Sequence, residues 1–171
     1  MKFLVLSDNH GRWTETQQLI EHFRPQVDYI FHCGDSEFPA DDLLWDQVDI
    51  VVSGNMDFDP QYLPQQELLT PVGRVFVVHG HRHQVNQSNT RLFELAKHND
   101  YQFVFHGHTH VLYAEYKDGV LICNPGSLNH SRGKHLGCTC AVITVEPKQL
   151  TVTYYDDELV ALPELEQVFI R

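Results

Sequence analysis

Five short polar motifs interrupt this chain: Asp8-Asn9-His10, Gly34-Asp35, Gly54-Asn55, His79-Gly80-His81 and Gly107-His108-Thr109-His110. Each directly follows a run of apolar, β-branched or aromatic residues. In open α/β sheets, sites form outside the carboxyl ends of the strands, so strands ending side by side would gather these groups at one rim. A glycine beside most of the motifs permits tight turns and close backbone approach. Any fold for this chain has to bring those five strand ends together.

The pattern between the motifs supports such a fold. Residues 2–7 read as a strand, and 14–24 as an amphipathic helix with Thr14 and Gln17 spaced as a capping box and Pro25 as its stop. Residues 28–32 form a second strand, 39–46 a short helix and 48–53 a third, almost wholly apolar strand, as expected when both faces are covered. Residues 65–70 and 74–79 flank the turn Pro71-Val72-Gly73 as a hairpin. A second helix, capped by Ser88, covers 88–99, and 101–105 is another strand. Residues 111–116 and 120–123 pair across Asp118-Gly119, and 138–145 with 150–155 make a last antiparallel pair. Strand–helix alternation followed by hairpins indicates an α/β fold with a mixed sheet, or two sheets packed together, and outer helices. At 171 residues one domain, 1–171, is expected. The apolar residues of 160–170 could pack on that domain or on a second subunit, so a homo-oligomer stays open.

Composition excludes some function classes. No apolar run approaches the roughly 20 residues of a membrane span, and the amino-terminal segment is too short and too quickly acidic for a signal peptide, so a cytoplasmic location is the expectation. Twelve basic and 23 acidic residues give a net charge of −11, a poor surface for duplex nucleic acid. Cys138 and Cys140 lie two apart in a strand-like run rather than in a zinc or redox motif, and no chemistry is assigned to Cys33, Cys123, Cys138 or Cys140.

Seven residues of the motifs are candidate metal ligands: Asp8, His10, Asp35, Asn55, His79, His108 and His110. Carboxylate, carboxamide and imidazole without thiolate suit manganese first, with iron, zinc, nickel or cobalt as alternatives. Seven groups are too many for one tetrahedral ion but suit two divalent ions roughly 3.5–4 Å apart, sharing one carboxylate. Two such ions against Asp8 and Asp35 leave a positive centre in an acidic protein, a place for a small phosphate ester.

These motifs, D-x-H, G-D, G-N, H and G-H-x-H in this order and with these gaps, resemble the calcineurin-like metallophosphoesterase family. The match is closest to its small single-domain bacterial and archaeal phosphodiesterase branch, whose typical loop Asn124-Pro125-Gly126-Ser127 also matches. The resemblance runs from Lys2 to about Asp156. It implies two mixed β-sheets packed face to face and flanked by helices. It implies a first metal on Asp8, His10 and His110, a second on Asn55, His79 and His108, and Asp35 bridging both. The implied reaction is in-line attack on phosphorus by water or hydroxide activated at the dinuclear centre, with Asp35 and Asn55 essential to catalysis.

One position departs from the family pattern. A histidine followed by an acid commonly comes after the metal-binding asparagine; here the run is Asn55-Met56-Asp57, and a thioether cannot donate a proton to a leaving alkoxide. His81, two residues from His79, is the candidate substitute acid. Arg82 and His83 are candidates for holding phosphate, and Asn124 for lining the substrate pocket. Asp57 either bonds a ligand histidine or caps a turn. His32 and His106 end strands and are read as packing before ligation, while His22, His98, His130 and His135 are read as structural or exposed. Two other functions remain open: a phosphomonoesterase or nucleotide phosphohydrolase, and a non-catalytic protein-binding scaffold, since the family resemblance includes a retromer subunit that holds partner proteins.

Overall fold

Successive side chains of a strand point to opposite faces, and in β1 (Lys2–Leu6) nearly all of them are apolar, so both faces must be covered. The computed structural model, which describes all residues Met1–Arg171, shows how. Phe3 and Val5 enter one core, Leu4 and Leu6 another. The first core lies between two sheets. One runs in the order β11 (Gln167–Ile170), β10 (Gln149–Tyr155), β9 (Cys140–Val145), β1, β2 (Tyr29–His32), β3 (Ile50–Val51), with β1, β2 and β3 parallel and the rest antiparallel. The other runs β4 (Gln65–Thr70), β5 (Gly73–Val78), β6 (Phe103–Phe105), β8 (Val120–Asn124), β7 (Tyr113–Lys117), with β5, β6 and β8 parallel. Both sheets are mixed, and they pack face to face as the resemblance implies.

Helix α1 (Trp13–Phe23) covers the outer face of the first sheet through Leu19, Ile20 and Phe23 against Leu4, Leu6 and Ile30. Helix α2 (Thr90–Asn99) covers the second sheet through Leu92 and Ala96 against Phe76, Val78 and Val104. Aromatic rings join the two sheets: Phe3 lies 5.4 Å from Phe103 and 6.2 Å from Phe105, edge to face, and its sheet neighbour Phe31 lies 5.3 Å from Phe105. The parallel strands of both sheets end at the same rim, which carries all five motifs. No helix is long and apolar enough to cross a membrane.

Local details differ from the sequence expectation for identifiable reasons. The third strand shrinks to two residues because it is the sheet edge, and the chain leaves it when Ser53 N–H donates to Leu63 O at 2.9 Å. The helix expected over 39–46 is a 3₁₀ segment, Leu43–Gln47, capped by Asp42, whose carboxylate accepts from Leu44 N–H. The Thr14–Gln17 capping box does not form, because α1 starts at Trp13 and Thr14 is already inside the first turn. Helix α2 starts at Thr90, and the Ser88 hydroxyl reaches it through a long 3.4 Å bond from Thr90 N–H and a 3.2 Å bond to Thr90 Oγ1. The segment at 160–170 packs on its own chain: β11 pairs with β10, and Leu162, Leu165 and Phe169 lie against the inter-sheet core.

Replacing Phe3 by Ala removes the ring that meets Phe103 and Phe105 across the two sheets and Phe31 within its own. It should cost about 3–5 kcal/mol, measured as a lowered urea midpoint with an unchanged denaturant slope.

Candidate metal centre

The rim is held together by bonds between successive strand ends. Asp8 N–H donates to Gly34 O at 3.0 Å, His10 N–H to Asp35 O at 3.1 Å, and Gly107 N–H to His79 O at 3.0 Å. Two glycines exist for this closeness: a Cβ on Gly54 would lie 2.0 Å from the Asp35 carboxylate, and one on Gly107 would lie 1.9 Å from the Ser7 hydroxyl. Asp57 fastens the loops. Its carboxylate accepts from Asp35 N–H at 2.7 Å, Ser36 N–H at 2.9 Å, Glu37 N–H at 2.7 Å and Gly54 N–H at 2.8 Å. The backbone is strained where the motifs turn: Asp8, His10, Asp35, His108 and His110 all have φ between 44° and 69°. That left-handed region is uncommon for residues with a Cβ, costs on the order of 1–3 kcal/mol each, and clusters at functional sites.

Asp8 and Asp35 are buried there, at 0% and 2% exposure. Asp8 Oδ2 accepts from Ser7 Oγ at 2.6 Å and from His108 N–H at 3.0 Å; Asp35 Oδ1 accepts from Met56 N–H at 2.7 Å. The remaining oxygens face imidazoles. Asp8 Oδ1 lies 3.1 Å from His110 Nε2, 3.9 Å from His79 Nε2 and 4.0 Å from His10 Nε2, while Asp35 Oδ2 lies 3.2 Å from His79 Nε2 and 3.9 Å from His10 Nε2. Burial pushes both carboxyls up, but His110 and His79 beside Asp8 and His79 beside Asp35 outweigh it. Asp8 ends below the usual carboxylate range, and Asp35 at about 2. Burial pushes His79 down, and Asp35 and Asp8 more than reverse it. Burial and the neighbouring His79 lower His108.

The far nitrogens settle which atoms face inward. His10 Nδ1 donates to Glu37 Oε1 at 2.7 Å, His79 Nδ1 to Cys33 O at 2.8 Å and His110 Nδ1 to His130 O at 3.0 Å. Those acceptors fix the protons on Nδ1, so each neutral ring turns an Nε2 lone pair toward the carboxylates, the arrangement of metal-binding histidines. His10 Nε2 and His110 Nε2 then face each other at 3.2 Å, and Asp8 Oδ1 and His79 Nε2 are buried without a hydrogen-bond partner. Lone pairs aimed at one another in a buried place repel unless a cation or proton lies among them. Two groups here could hold an ion, Asp8 with His10 and His110, and Asp8 with Asp35 and His79. His108 is turned the other way: its Nε2 pairs with the Asn86 side-chain amide at 3.0 Å, which leaves Nδ1 toward the site.

A cavity of about 480 Å³ opens onto this cluster, lined by His10, Asp35, Asn55, His108 and His110 among the expected residues. The structure does not bring the expected accessory residues to that cavity. Asn124 is fully buried, its amide donating to Gly107 O at 2.9 Å and Thr109 Oγ1 at 3.0 Å, so it shapes the histidine loop instead of meeting substrate. Arg82 is spent on His81: its Nε–H donates to His81 Nε2 at 3.2 Å. His81 stacks near His79, 5.4 Å between ring centres, outside the cavity lining, and burial together with His79 and Arg82 pushes it down to about 4. His32 is packing, bonded to Asn9 Oδ1 at 2.9 Å.

Four residues escaped the sequence reading. Glu37 and Asn86 bind the far nitrogens of His10 and His108, and neither belongs to a motif. His130, read as structural or exposed, lines the cavity and gives its carbonyl to His110. Arg132 lines the cavity because its N–H donates to His110 O at 3.0 Å. The one available signal was Arg132 lying a few residues beyond the Asn-Pro-Gly-Ser loop.

Comparison with known proteins gives a consistent result. A family model described as the calcineurin-like phosphoesterase superfamily domain matches residues 1–148. A probable metallophosphoesterase, YsnB of Bacillus subtilis, is 32% identical over 158 residues, covering 91% of each chain. A crystal structure of a conserved protein from Streptococcus pneumoniae, described as a predicted phosphoesterase, superposes with a TM-score of 0.95 at 29% identity, over 99% of this chain and 97% of that one. Vps29 from Entamoeba histolytica, crystallised with zinc, has a TM-score of 0.73 at 15% identity over 99% of both chains, which shows a shared fold.

Asp57→Asn would turn an amide NH₂ toward backbone N–H groups that now meet a carboxylate. The change should cost about 2–4 kcal/mol, read as a lower thermal midpoint of the metal-free protein. An unchanged midpoint would show that Asp57 does not hold the Asp35 loop.

Proposed function

The chain belongs to the calcineurin-like phosphoesterase superfamily, and on that premise we propose that it is a phosphodiesterase working at a dinuclear metal centre. The observation that carries this reading is the set of inward lone pairs. Asp8 Oδ1, Asp35 Oδ2 and the Nε2 atoms of His10, His79 and His110 converge within 3.1–4.0 Å, while every far imidazole nitrogen of these three rings is already committed. In our assignment Asp8, His10 and His110 would hold one ion and His79, His108 and Asn55 the other, with the Asp35 carboxylate available to both. For His108 to ligate through Nδ1, its Nε2–H must donate to the Asn86 carbonyl, which a rotation of that amide supplies. Such ions, manganese being our first choice for an oxygen- and imidazole-rich set, would activate water and polarise the phosphoryl oxygens.

The protein's own groups do the rest. Glu37, Cys33 O and His130 O hold the protons on the outward Nδ1 atoms, so the inner nitrogens stay available as donors to cations. Arg132 is the one Lys or Arg in the cavity lining, placed to pair with a non-bridging phosphate oxygen. A single guanidinium beside an open cavity suits the one negative charge of a diester better than the two of a monoester. Proton delivery is poor. Met56 stands where an acid is common, and His81, held near 4, carries no spare proton at neutral pH. Diesters whose leaving group needs no protonation are therefore the preferred substrates.

Metal titration followed by assay on bis(p-nitrophenyl) phosphate tests the reading. The protein should bind two equivalents of manganese, and Asp35→Asn should lose both ions and lower turnover by more than about 100-fold, beyond the cost of losing a partner that only orients a ligand. Binding requires His79 free of its proton. Because His79 holds that proton more tightly than the ordinary value of 6.5, manganese affinity should fall as pH drops from 8 to 6, with proton release measurable by calorimetry in two buffers. Failure to bind two equivalents of any first-row divalent ion, or a metal-loaded protein inert to diesters, would overturn the proposal.

A further inference from the structure

We propose that Met56 and Phe58, with Phe38, Pro39 and Pro60, form an apolar shelf that seats a planar aromatic group on the non-leaving arm of the diester. The inference rests on the phosphodiesterase reading and names the substrate class of that same site. A second cavity, of about 660 Å³, is lined by Glu37, Phe38, Pro39, Met56, Phe58, Asp59 and Pro60. Glu37 and Met56 also line the cavity over the metal cluster, so the two cavities adjoin at these residues. One ester arm bound at the cluster can extend onto the shelf without leaving the surface.

Phe58 is 83% exposed and Met56 40%, side by side at the edge of a charged centre. A mobile loop would explain such exposure, but this loop is pinned on both sides of Phe58. Asp57 accepts from the backbone N–H groups of Asp35, Ser36, Glu37 and Gly54, and Asp59 accepts from Ala40 N–H at 2.9 Å and Gln61 N–H at 3.0 Å. Met56 is itself tied by its N–H to Asp35 Oδ1 at 2.7 Å. The side chains on either side of Phe58 are thus taken up by backbone amides, while Phe58 itself stands in solvent. A lone exposed ring would need no explanation, but Phe58 is grouped with Phe38, Pro39, Met56 and Pro60 around one cavity next to the site, and a contiguous apolar patch of that kind marks a binding surface. The site thereby divides into a polar side, with Arg132, Asn129 and His130, and an apolar side. Phosphate goes to the first and a flat apolar arm to the second.

The test uses two diesters with the same p-nitrophenolate leaving group, one with a phenyl and one with a methyl second arm. The metal-loaded protein should prefer the phenyl arm in kcat/KM by roughly 3–10-fold, the worth of one aromatic contact. Phe58→Ala should bring that ratio close to the intrinsic ratio of the two esters, and Ile170→Ala, exposed on the far edge strand, should retain it. A second readout needs no turnover. The chain has two methionines, so ¹³C-methyl labelling of protein loaded with diamagnetic zinc yields one signal for Met56 and one for Met1 as internal control. Phenylphosphonate should move the Met56 signal upfield by ring current, methylphosphonate should not, and Met1 should stay still. A ratio unaffected by Phe58→Ala, or a Met56 signal that responds alike to both phosphonates or to neither, overturns the shelf and leaves Phe58 to a protein partner. If neither diester is hydrolysed, the phosphodiesterase reading fails, whereas a flat ratio with active enzyme defeats the shelf alone.

Discussion

Two carboxylates of like charge, Asp8 and Asp35, sit almost without solvent at the ends of adjacent parallel strands. Burying one unpaired carboxylate is costly, and burying two together adds their repulsion. Everything around them offsets that cost. Ser7, the His108 amide and the Met56 amide each donate to one oxygen, and three imidazoles crowd the others. Where the rings are neutral the compensation stops short of neutrality, because their protons then point away to Glu37, Cys33 and His130. What is left is a concentrated negative potential with donor atoms already oriented, which is what pre-organisation for cations means physically.

That demand propagates into the backbone. The strand ends must approach closely enough for the donors to meet, which leaves no room for a Cβ at Gly54 or Gly107 and forces left-handed turns at the ligand candidates themselves. Strain of this kind persists only where surrounding structure over-determines it. The Asp57 clamp, the buried Asn124 amide under the histidine loop, and the Ser127 hydroxyl donating to Asp8 O at 2.9 Å supply that restraint. The aromatic core beneath, with Phe3 and Phe31 of one sheet against Phe103 and Phe105 of the other, resists sliding of the sheets and so steadies the distance across the rim.

The layers of this fold were legible because they follow from local periodicity: β1 alternates between two cores, and α1 and α2 carry single apolar stripes. The rim was legible because its residues follow strands directly. Helix starts were misread because Thr14 and Ser88 have capping chemistry but tertiary contacts set where each helix begins. β11 carried too weak a pattern, since its partner β10 is what makes it a strand. Glu37, Asn86, His130 and Arg132 are recognisable only through what they touch. Their side chains, or in His130 a carbonyl, have no required spacing from the motifs, because folding rather than sequence proximity delivers them. Asn124 and Arg82 have chemistry that fits phosphate, yet Asn124 is buried under the histidine loop and Arg82 lies outside the cavity lining with its Nε–H on His81.

Position 56 shows how such a site can change its chemistry without losing its cage. The contribution of Met56 to the carboxylate cluster is its backbone N–H, bonded to Asp35 Oδ1, and any residue except proline supplies that bond. Its side chain faces the cavity and takes part in no hydrogen bond that holds the loops. The supporting interactions come instead from Asp57 and Asp59, one and three residues later. A proton donor at 56 can therefore be exchanged for a thioether while the donor atoms stay where they are. The exchange removes a means of protonating a leaving alkoxide and adds apolar surface beside Phe58. Selection on substrate and selection on metal thus act on different atoms of the same residue. This separation lets the seven candidate ligands stand beside a thioether at position 56 in one chain.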